Sequence, residues 1–209
     1  MVTRIEVGSF RRMPLGTVAA VADALGGSVD VTLRWEGAQL DTLIDAPHAW
    51  LAEATASLLD RHGWVVRSEV SFNHFGDRGR VDLLAWHAAA RAVAVIEVKS
   101  TIGDVQETLG RLDTKVRLAL ILSRQSGWGT PATAIRVLVV GDSRRDRRIV
   151  GQHERLFEGF PIRGRQARAW TRHARPPFPP GLLWFTKVPD AHGVGTTRNR
   201  RVRKVNAGG

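Results

Sequence analysis

The fold is decided by residues 76–100, which read Gly-Asp-Arg-Gly-Arg-Val-Asp-Leu-Leu-Ala-Trp-His-Ala-Ala-Ala-Arg-Ala-Val-Ala-Val-Ile-Glu-Val-Lys-Ser. An apolar run at 81–86 is followed by a short break at 87–91, and a second apolar run occupies 92–98. Two apolar runs of strand length that flank a short break predict a β-hairpin. We therefore expect the core of the protein to be built around this hairpin.

Three charged residues, Asp82, Glu97 and Lys99, lie inside these apolar strands. Side chains alternate between faces along a strand, so Glu97 and Lys99 point the same way. If the turn is centred between Ala89 and Ala90, Asp82 lies opposite Glu97, with Cβ atoms about 4.5–5.5 Å apart. Two carboxylates at that separation repel, so they need a cation between them or a raised pKa.

Two explanations fit this cluster. Carboxylate oxygens are the hard ligands that Mg²⁺ or Mn²⁺ prefers, and a bound metal activates water and polarises a phosphoryl oxygen. Lys99 would then orient the attacking water or stabilise charge that develops on the phosphate. The alternative is a buried salt bridge, in which Lys99 pairs with Glu97 or Asp82.

Lysine is rare in this chain, which has 4 Lys among its 31 basic residues. Only Lys99 and Lys115 precede residue 142. Because arginine fills nearly every other cationic position, a lysine inside the hairpin suggests that a compact ammonium is needed there. This composition favours a functional role for Lys99.

The pattern of Asp82 followed by Glu97-Val98-Lys99 resembles the PD-(D/E)xK, or restriction-endonuclease-like, nuclease superfamily, over roughly residues 46–140. The resemblance implies an α/β fold with an αβββαβ core and a mixed central sheet. It also implies that Asp82 and Glu97 bind Mg²⁺ or Mn²⁺ and that Lys99 and Glu53 are catalytic. Val81 stands where the motif's leading proline would be.

Accessory positions are less defined. Glu53 lies at the edge of an apolar helical stripe, where it either extends to the metal or is solvated. Glu69 is a second acidic candidate or a charge on an edge strand. In the superfamily the helix that follows the lysine strand borders the active site, which directs attention to Gln106 and Lys115.

Apolar periodicity and turn signals predict the remaining elements. The expected helices are 17–25, 47–62, 105–120 and 144–160, and the expected strands are 29–35, 64–72, 135–140, a segment around Trp170, and 182–185.

The formal net charge of +11 is distributed unevenly. Residues 1–141 contain 15 basic and 15 acidic residues, whereas residues 142–209 contain 16 and 5. This asymmetry predicts a polyanionic partner, most simply DNA, although a solubilising surface would have the same composition. The candidate phosphate contacts are Arg78, Arg80, Arg144, Arg145, Arg147, Arg148, Arg165 and Arg168.

Positive charge crowds the first turn of the helix expected after Ser143, and this is the wrong sign for a helix N-terminus. We expect an external anion to bind there. The loop 73–80, which contains Arg78 and Arg80, either contacts phosphates or is simply solvated.

Several classes of function are excluded. The chain has no cysteine, so disulfides, zinc ribbons and thiol catalysis are ruled out, and a cytoplasmic setting is the simplest expectation. No apolar run approaches the ~18 residues of a membrane span, and no signal-peptide pattern precedes the first helix. We expect no membrane partner, and homodimerisation remains open.

Residues 1–35 resemble the back half of a Cro/repressor-type (XRE-like) helix-turn-helix domain. The resemblance is carried by the Arg4-Ile5-Glu6-Val7-Gly8 segment and by a second group of positions. That group is Leu15, Thr17, Val21, Ala22, Ala24, Leu25 and Gly26. Because the first helices of the motif are missing, Met1 is expected to be a misplaced start or a true truncation. The alternative is a helix–strand appendage on the nuclease-like core.

These observations predict four regions: a helix-turn-helix remnant at 1–35, a hinge at 36–45, a PD-(D/E)xK-like domain with an Arg-rich extension at 46–190, and a disordered basic tail at 191–209. The leading hypothesis is a metal-dependent nuclease that acts on DNA. The first alternative is a helix-turn-helix transcription regulator whose nuclease-like domain is non-catalytic. The second is a module that binds RNA or a partner protein through its basic patch.

Overall fold

The computed structural model describes residues 14–27, 29, 38–74 and 76–189, and for residues 38–45 it describes the backbone only. The chain divides into two compact units, Met1–Asp41 and Thr42–Gly209. Most of the predicted helix-turn-helix remnant and the predicted tail at 191–209 lie outside the described residues.

In the first unit, helix α1 spans Leu15–Ala24 and follows Pro14. It begins two residues earlier than predicted. Gly26, with φ at 74°, closes the helix in the left-handed conformation that glycine adopts most easily. Of the strand predicted at 29–35, only Val29 is described, and it carries no strand assignment.

The second unit is an α/β domain whose helices cover both faces of one mixed sheet. Its elements, counting α2 from its start before the unit boundary, are α2 Ala38–Asp60, β1 Val65–His74, β2 Asp77–His87, β3 Ala92–Lys99, α3 Val105–Arg117, α4 Ala119–Gln125, β4 Thr133–Gly141, α5 Arg144–Gln152, β5 Ile162–Arg163, α6 Gly164–Trp170 and β6 Gly181–Thr186. The run from α2 to β4 has the αβββαβ order that was expected, with α4 as an additional short helix.

The strand order is β1-β2-β3-β4-β6-β5. Strands β1 to β3 form an antiparallel meander, and the pairs β3–β4, β4–β6 and β6–β5 are parallel. Strand β3 is buried along nearly its whole length, as expected for a strand covered on both faces. Leu83 pairs with Ile96 and His87 with Ala92, so the predicted turn centre between Ala89 and Ala90 is confirmed.

Two apolar clusters lie on opposite faces of the sheet. One contains Val93 and Val95 of β3 and packs under α3, α4 and α5, while the other contains Ile96 and Val98 and packs under α2 and α6. Because side chains alternate, Glu97 and Lys99 continue the row of Val93 and Val95. The two charged residues of β3 therefore face α3.

Several predicted elements were wrong. Helix α2 begins at Ala38 and continues through Pro47, so most of the expected hinge is helical. Proline removes one backbone hydrogen bond and weakens a helix without always ending it. Residues 164–170 form a helix and not a strand, because Ala167 and Trp170, three residues apart, both pack against the sheet. The helix predicted at 144–160 ends at Gln152.

Strands β1 and β2 continue past the end of the β2–β3 ladder as a two-stranded arm. The arm extends from the pair Val70 and Val81 to the pair His74 and Asp77. Arg78 and Arg80 therefore lie on a strand and not in the loop that was expected, and both are exposed. Because β2 is antiparallel to β3, the arm lies at the same end of the sheet as Lys99.

Candidate active site

The candidate site lies where the ladder between β2 and β3 opens. The last ladder pair is Leu83 with Ile96, and Asp82 and Glu97 are the next residues in the same register. Asp82 Oδ2 accepts a hydrogen bond from the backbone N–H of Val98 at 2.7 Å. The side chain of Asp82 thus takes a position that a backbone carbonyl would otherwise fill.

Strand β2 is irregular at this point. Val81 belongs to the same apolar cluster as Leu84, although strict alternation would place these two residues on opposite faces. On the other side, the β1–β2 register runs through Ser68 with Leu83 and Val70 with Val81. This ladder skips Glu69, which would otherwise pair with Asp82.

Glu69 adopts φ of 56°, the left-handed region that a non-glycine residue rarely occupies. Its carboxylate pairs with Arg80 Nη1 at 2.5 Å, and about half of its side chain is exposed. No described contact joins Glu69 to Asp82. Glu69 therefore matches the second alternative given for it, a charge on an edge strand.

Glu97 lies between two ammonium groups although only 2% of its surface is exposed. Lys99 Nζ is 2.9 Å from Glu97 Oε1, and Lys115 Nζ contacts Glu97 Oε2. Lys115 Nζ also lies 3.6 Å from Asp82 Oδ1. We call Asp82, Glu97, Lys99 and Lys115 the charge cluster; its formal charges cancel.

Helix α3 places Lys115 in this cluster. Its buried residues are Val105, Thr108, Leu112 and Lys115, which follow the three-to-four-residue spacing of one helical face. Asp104 caps the helix by accepting the N–H of Glu107 at 2.8 Å. Lys115 is 8% exposed, so its long side chain runs under the helix to the carboxylates.

Burial raises the pKa of the Asp82 carboxyl, and the nearby Glu97 carboxylate raises it further. The positive charge of Lys115, the Val98 N–H and the charge of His48 act in the opposite direction. Since the raising effects dominate, an additional cation at this position would favour the ionised form of Asp82.

The two carboxylates of the charge cluster face a single cation. The ammonium of Lys115 contacts Glu97 and lies 3.6 Å from Asp82 Oδ1. Mg²⁺ is usually held by one or two carboxylates with water completing its octahedron. Among the described residues no group of three or more His, Cys, Asp or Glu side chains is suited to metal binding, so this pair would be the protein's contribution.

Helix α2 does not direct Glu53 toward the charge cluster. Its buried residues, Leu51, Thr55 and Leu59, face the sheet, and Glu53 is exposed. Glu53 therefore matches the solvated alternative. His48 lies three residues before Leu51 on the same face, and it is close enough for its charge to affect Asp82. The helical spacing from Leu51 was the signal that pointed to His48.

Gln106 lies in a separate cleft of about 310 Å³ between α3 and the segment after α5. Asp113 and Arg136 form an ion pair of 2.8 Å on its wall, and Leu156 and Phe160 supply apolar surface. No described contact joins Gln106 to the charge cluster. Of the two accessory positions predicted on this helix, only Lys115 enters the site.

Asp146 is a structural residue of the site that sequence reasoning missed. It is 1% exposed and accepts hydrogen bonds from the Ile102 N–H at 2.9 Å and from the Thr101 hydroxyl at 3.1 Å. It thereby connects the loop after Lys99 to the first turn of α5. The sequence feature that could have revealed Asp146 is the Ser143-x-x-Asp146 spacing, which is typical of a helix N-terminus. In the structure the Asp146 N–H donates a hydrogen bond of 3.0 Å to Ser143 Oγ.

The arginines at the start of α5 are only partly available to an external anion. Arg145 donates to the Ile102 carbonyl at 2.9 Å, and Arg147 donates to both carboxylate oxygens of Asp142 at 2.7 and 2.9 Å. Arg144 and Arg148 are exposed, and neither has an ion pair with a described residue. These two are the free cations of the first turn within the described part of the chain.

The predicted phosphate-binding arginines lie in three separate places. Those of α5 are at the carboxyl end of β4, next to the loop that follows Lys99. Arg165 and Arg168 are exposed on α6, which packs on the opposite face of the sheet. Arg78 and Arg80 are on the β1–β2 arm. The basic surface is therefore divided between the two faces.

No protein-family model matches this chain, and no curated protein matches it. No helix in the described ranges combines the length and the apolar character that a bilayer crossing requires. Inferences about function therefore depend on the residues and geometry of the charge cluster and its surroundings.

Proposed function

We propose that this protein is a metal-dependent nuclease of the PD-(D/E)xK type, which hydrolyses phosphodiester bonds in nucleic acid, most simply DNA. The observation that carries the proposal is the convergence of Asp82, Glu97 and Lys99 at the opening of the β2–β3 ladder. This opening lies at the carboxyl end of β3, next to the carboxyl end of β4. Ligands of open α/β sheets characteristically bind beyond the carboxyl ends of parallel strands.

Each residue has a distinct role in this proposal. Asp82 and Glu97 hold Mg²⁺ or Mn²⁺, which when bound supplies an activated water and a polarised phosphoryl group. Lys99 is 30% exposed beside Glu97, so its ammonium can donate to a phosphate oxygen or orient the water. Arg144 and Arg148 would hold the backbone of the nucleic acid through its phosphates.

A second candidate function is a non-catalytic nucleic-acid-binding domain of a transcription regulator. The observation in its favour is that Lys99 and Lys115 together balance the charges of both carboxylates without a metal. In that case the charge cluster would be a buried ion-pair network. Such networks contribute little net stability but are costly to break one partner at a time.

The deciding experiment compares wild type with Asp82→Asn by isothermal titration of Mg²⁺ and Mn²⁺ and by incubation with supercoiled plasmid. Asn keeps the shape and the acceptor for the Val98 N–H but loses the charge. We expect metal affinity to fall about tenfold or more and nicking to fall about a hundredfold or more. Asp60→Asn, at an exposed carboxylate at the end of α2, is the matched control and should leave both unchanged.

Metal binding without nicking of either DNA or RNA would overturn the hydrolysis of these substrates but keep the metal site. Absence of metal binding by the wild type, even with nucleic acid present, would mean that the charge cluster is a buried ion-pair network, and it would favour the regulator.

A further inference from the structure

Lys115 occupies the place that a divalent cation would take. Its ammonium contacts Oε2 of Glu97 and lies 3.6 Å from Oδ1 of Asp82, the same carboxylates assigned to the metal. A second cation at this position would be repelled by the ammonium and would find the carboxylates already neutralised. Metal and Lys115 therefore exclude each other.

We propose that Lys115 is an internal competitor of the metal, and that the metal enters together with a nucleic-acid phosphate, which gives the displaced ammonium a new partner. This inference rests on the proposed metal site. It adds regulation: the site holds metal weakly until a substrate phosphate is present.

Lys115 is placed so that it can move. It lies two residues before Arg117, the last residue of α3, and its charge is carried on a flexible four-carbon chain. Once displaced by a metal, the ammonium would be desolvated and unpaired unless another anion lies nearby. The scissile phosphate, which Lys99 and the metal also contact in the proposed function, is the anion that the reaction brings to this position.

The identity of the residue supports exchange over a permanent structural pair. Arginine supplies 27 of the 31 basic residues, and a guanidinium would clamp a carboxylate with two parallel hydrogen bonds. An ammonium is a point charge without that fork geometry, so it can pass from a carboxylate to a phosphate oxygen. Lysine is the residue that a displaceable counter-ion requires.

Mutual dependence of two ligands is reciprocal, because the factor by which phosphate strengthens metal binding must equal the factor by which metal strengthens phosphate binding. Removal of the competitor should therefore do two things. It should strengthen metal binding in the absence of nucleic acid, and it should reduce the gain in metal affinity that nucleic acid provides to the part that comes from contact between the metal and the phosphate.

The experiment measures Mn²⁺ affinity by isothermal titration for wild type and Lys115→Met, each with and without a short DNA duplex whose phosphorothioate linkages resist cleavage. We expect K115M to bind Mn²⁺ about tenfold more tightly than wild type without DNA. The duplex should raise the affinity of wild type about fivefold or more and that of K115M by a clearly smaller factor. The double variant D82N/K115M measures Mn²⁺ held elsewhere and should show no tight binding.

Loss of Lys115 leaves two carboxylates with one nearby ammonium, so K115M requires a folding control. Lys115→Gln can still donate a hydrogen bond to Glu97, and thermal unfolding of both variants with and without Mn²⁺ reports binding independently of calorimetry. We expect Mn²⁺ to raise the Tm of each variant more than that of wild type. Lys115→Arg retains the charge and should bind Mn²⁺ no more tightly than wild type.

If neither neutral variant binds Mn²⁺ more tightly than wild type, or if the duplex raises affinity equally in K115M, the competitor role is overturned. Failure of the nuclease proposal gives a different result. The neutral variants would then bind Mn²⁺ tightly through Asp82 while no protein, wild type or variant, cleaves an unmodified duplex.

Discussion

At the scale of single residues, Asp82 is the group whose ionisation is most sensitive to its surroundings. Its carboxyl is nearly buried, lies beside Glu97 and accepts the Val98 N–H. Burial and the neighbouring carboxylate together raise its pKa above the ordinary value of 3.8. Ionising Asp82 is therefore harder in the folded chain than in the unfolded chain.

This raised pKa predicts that Asp82 lowers the free energy of unfolding more and more as the pH rises. Its contribution to stability is fully present below the unfolded value near 3.8 and is lost as the pH rises through the folded-state pKa. Asp82→Asn has no such cost. We expect the free energy of unfolding of D82N, relative to wild type, to increase between about pH 3.5 and about pH 7 in metal-free buffer. Urea unfolding at several pH values measures this difference.

Asp60→Asn supplies the comparison, because Asp60 is exposed at the end of α2. The free energy of unfolding of D60N, relative to wild type, should change little over the same pH range. A D82N difference that stays flat would show that folding does not raise the pKa of Asp82, and one that falls with pH would show that the environment of Asp82 favours its charged form.

Single residues also mark how far the sequence predicts the site. The register of Asp82 and Glu97 follows from counting outward from the turn, so their convergence was predictable. The rotation of a helix about its axis is set by packing, and a five-residue difference separates His48 from Glu53. Asp146 was missed because its neighbours are arginines, and their charge dominates the appearance of that segment.

At the scale of elements, the backbone of β1 is irregular at the position opposite Asp82. Glu69 lies in register with Asp82 but adopts φ of 56°. A Cβ in the left-handed conformation costs roughly 1–2 kcal/mol, and glycine avoids that cost. The irregularity of β1 thus carries strain next to the site, where the ladder gives way to the charge cluster.

The strain at Glu69 predicts that glycine is more stabilising than alanine at this position, the reverse of the usual order in a strand. We expect E69G to unfold with a free energy about 1 kcal/mol higher than E69A, since both lack the pair with Arg80 and differ only in the Cβ. At Ser68, one residue earlier and exposed in the same strand, S68G should be less stable than S68A by about 0.5–1 kcal/mol. Urea unfolding of the four variants tests this prediction. It is contradicted if the difference in free energy of unfolding between the glycine and alanine variants has the same sign at both positions.

Element types were predictable where one period dominates. Strands β2 and β3 are long apolar runs, and α3 repeats its apolar residues at helical spacing. Helix α6 was mistaken for a strand because Arg165, Arg168 and Arg172 were taken to alternate around Trp170, although their spacing of three and four residues is helical. The same period appears in Ala167 and Trp170, which pack against the sheet. The extent of α2 through Pro47 is likewise set by the fold and not by local preference.

At the scale of the whole molecule, the sheet separates the basic residues into groups with different access to the charge cluster. Asp146 of α5 binds the loop that follows Lys99, so Arg144 and Arg148 lie beside the carboxyl end of β3. Arg165 and Arg168 belong to α6 on the other face. A duplex held for cleavage at Asp82 and Glu97 would contact the first pair more closely than the second.

Two matched double variants, Arg144→Gln/Arg148→Gln and Arg165→Gln/Arg168→Gln, therefore test the orientation of the nucleic acid. Each removes two of the positive charges that make up the net +11, so a general electrostatic field would weaken binding equally in both. We expect the α5 variant to lose about tenfold in affinity for a labelled duplex and to lower the slope of log K against log salt by about 1–2. The α6 variant should lose less than about threefold. Fluorescence anisotropy across a salt series measures both quantities. A larger loss in the α6 variant would place the nucleic acid on the α2–α6 face, away from the loop that Asp146 holds, and would separate DNA binding from the charge cluster.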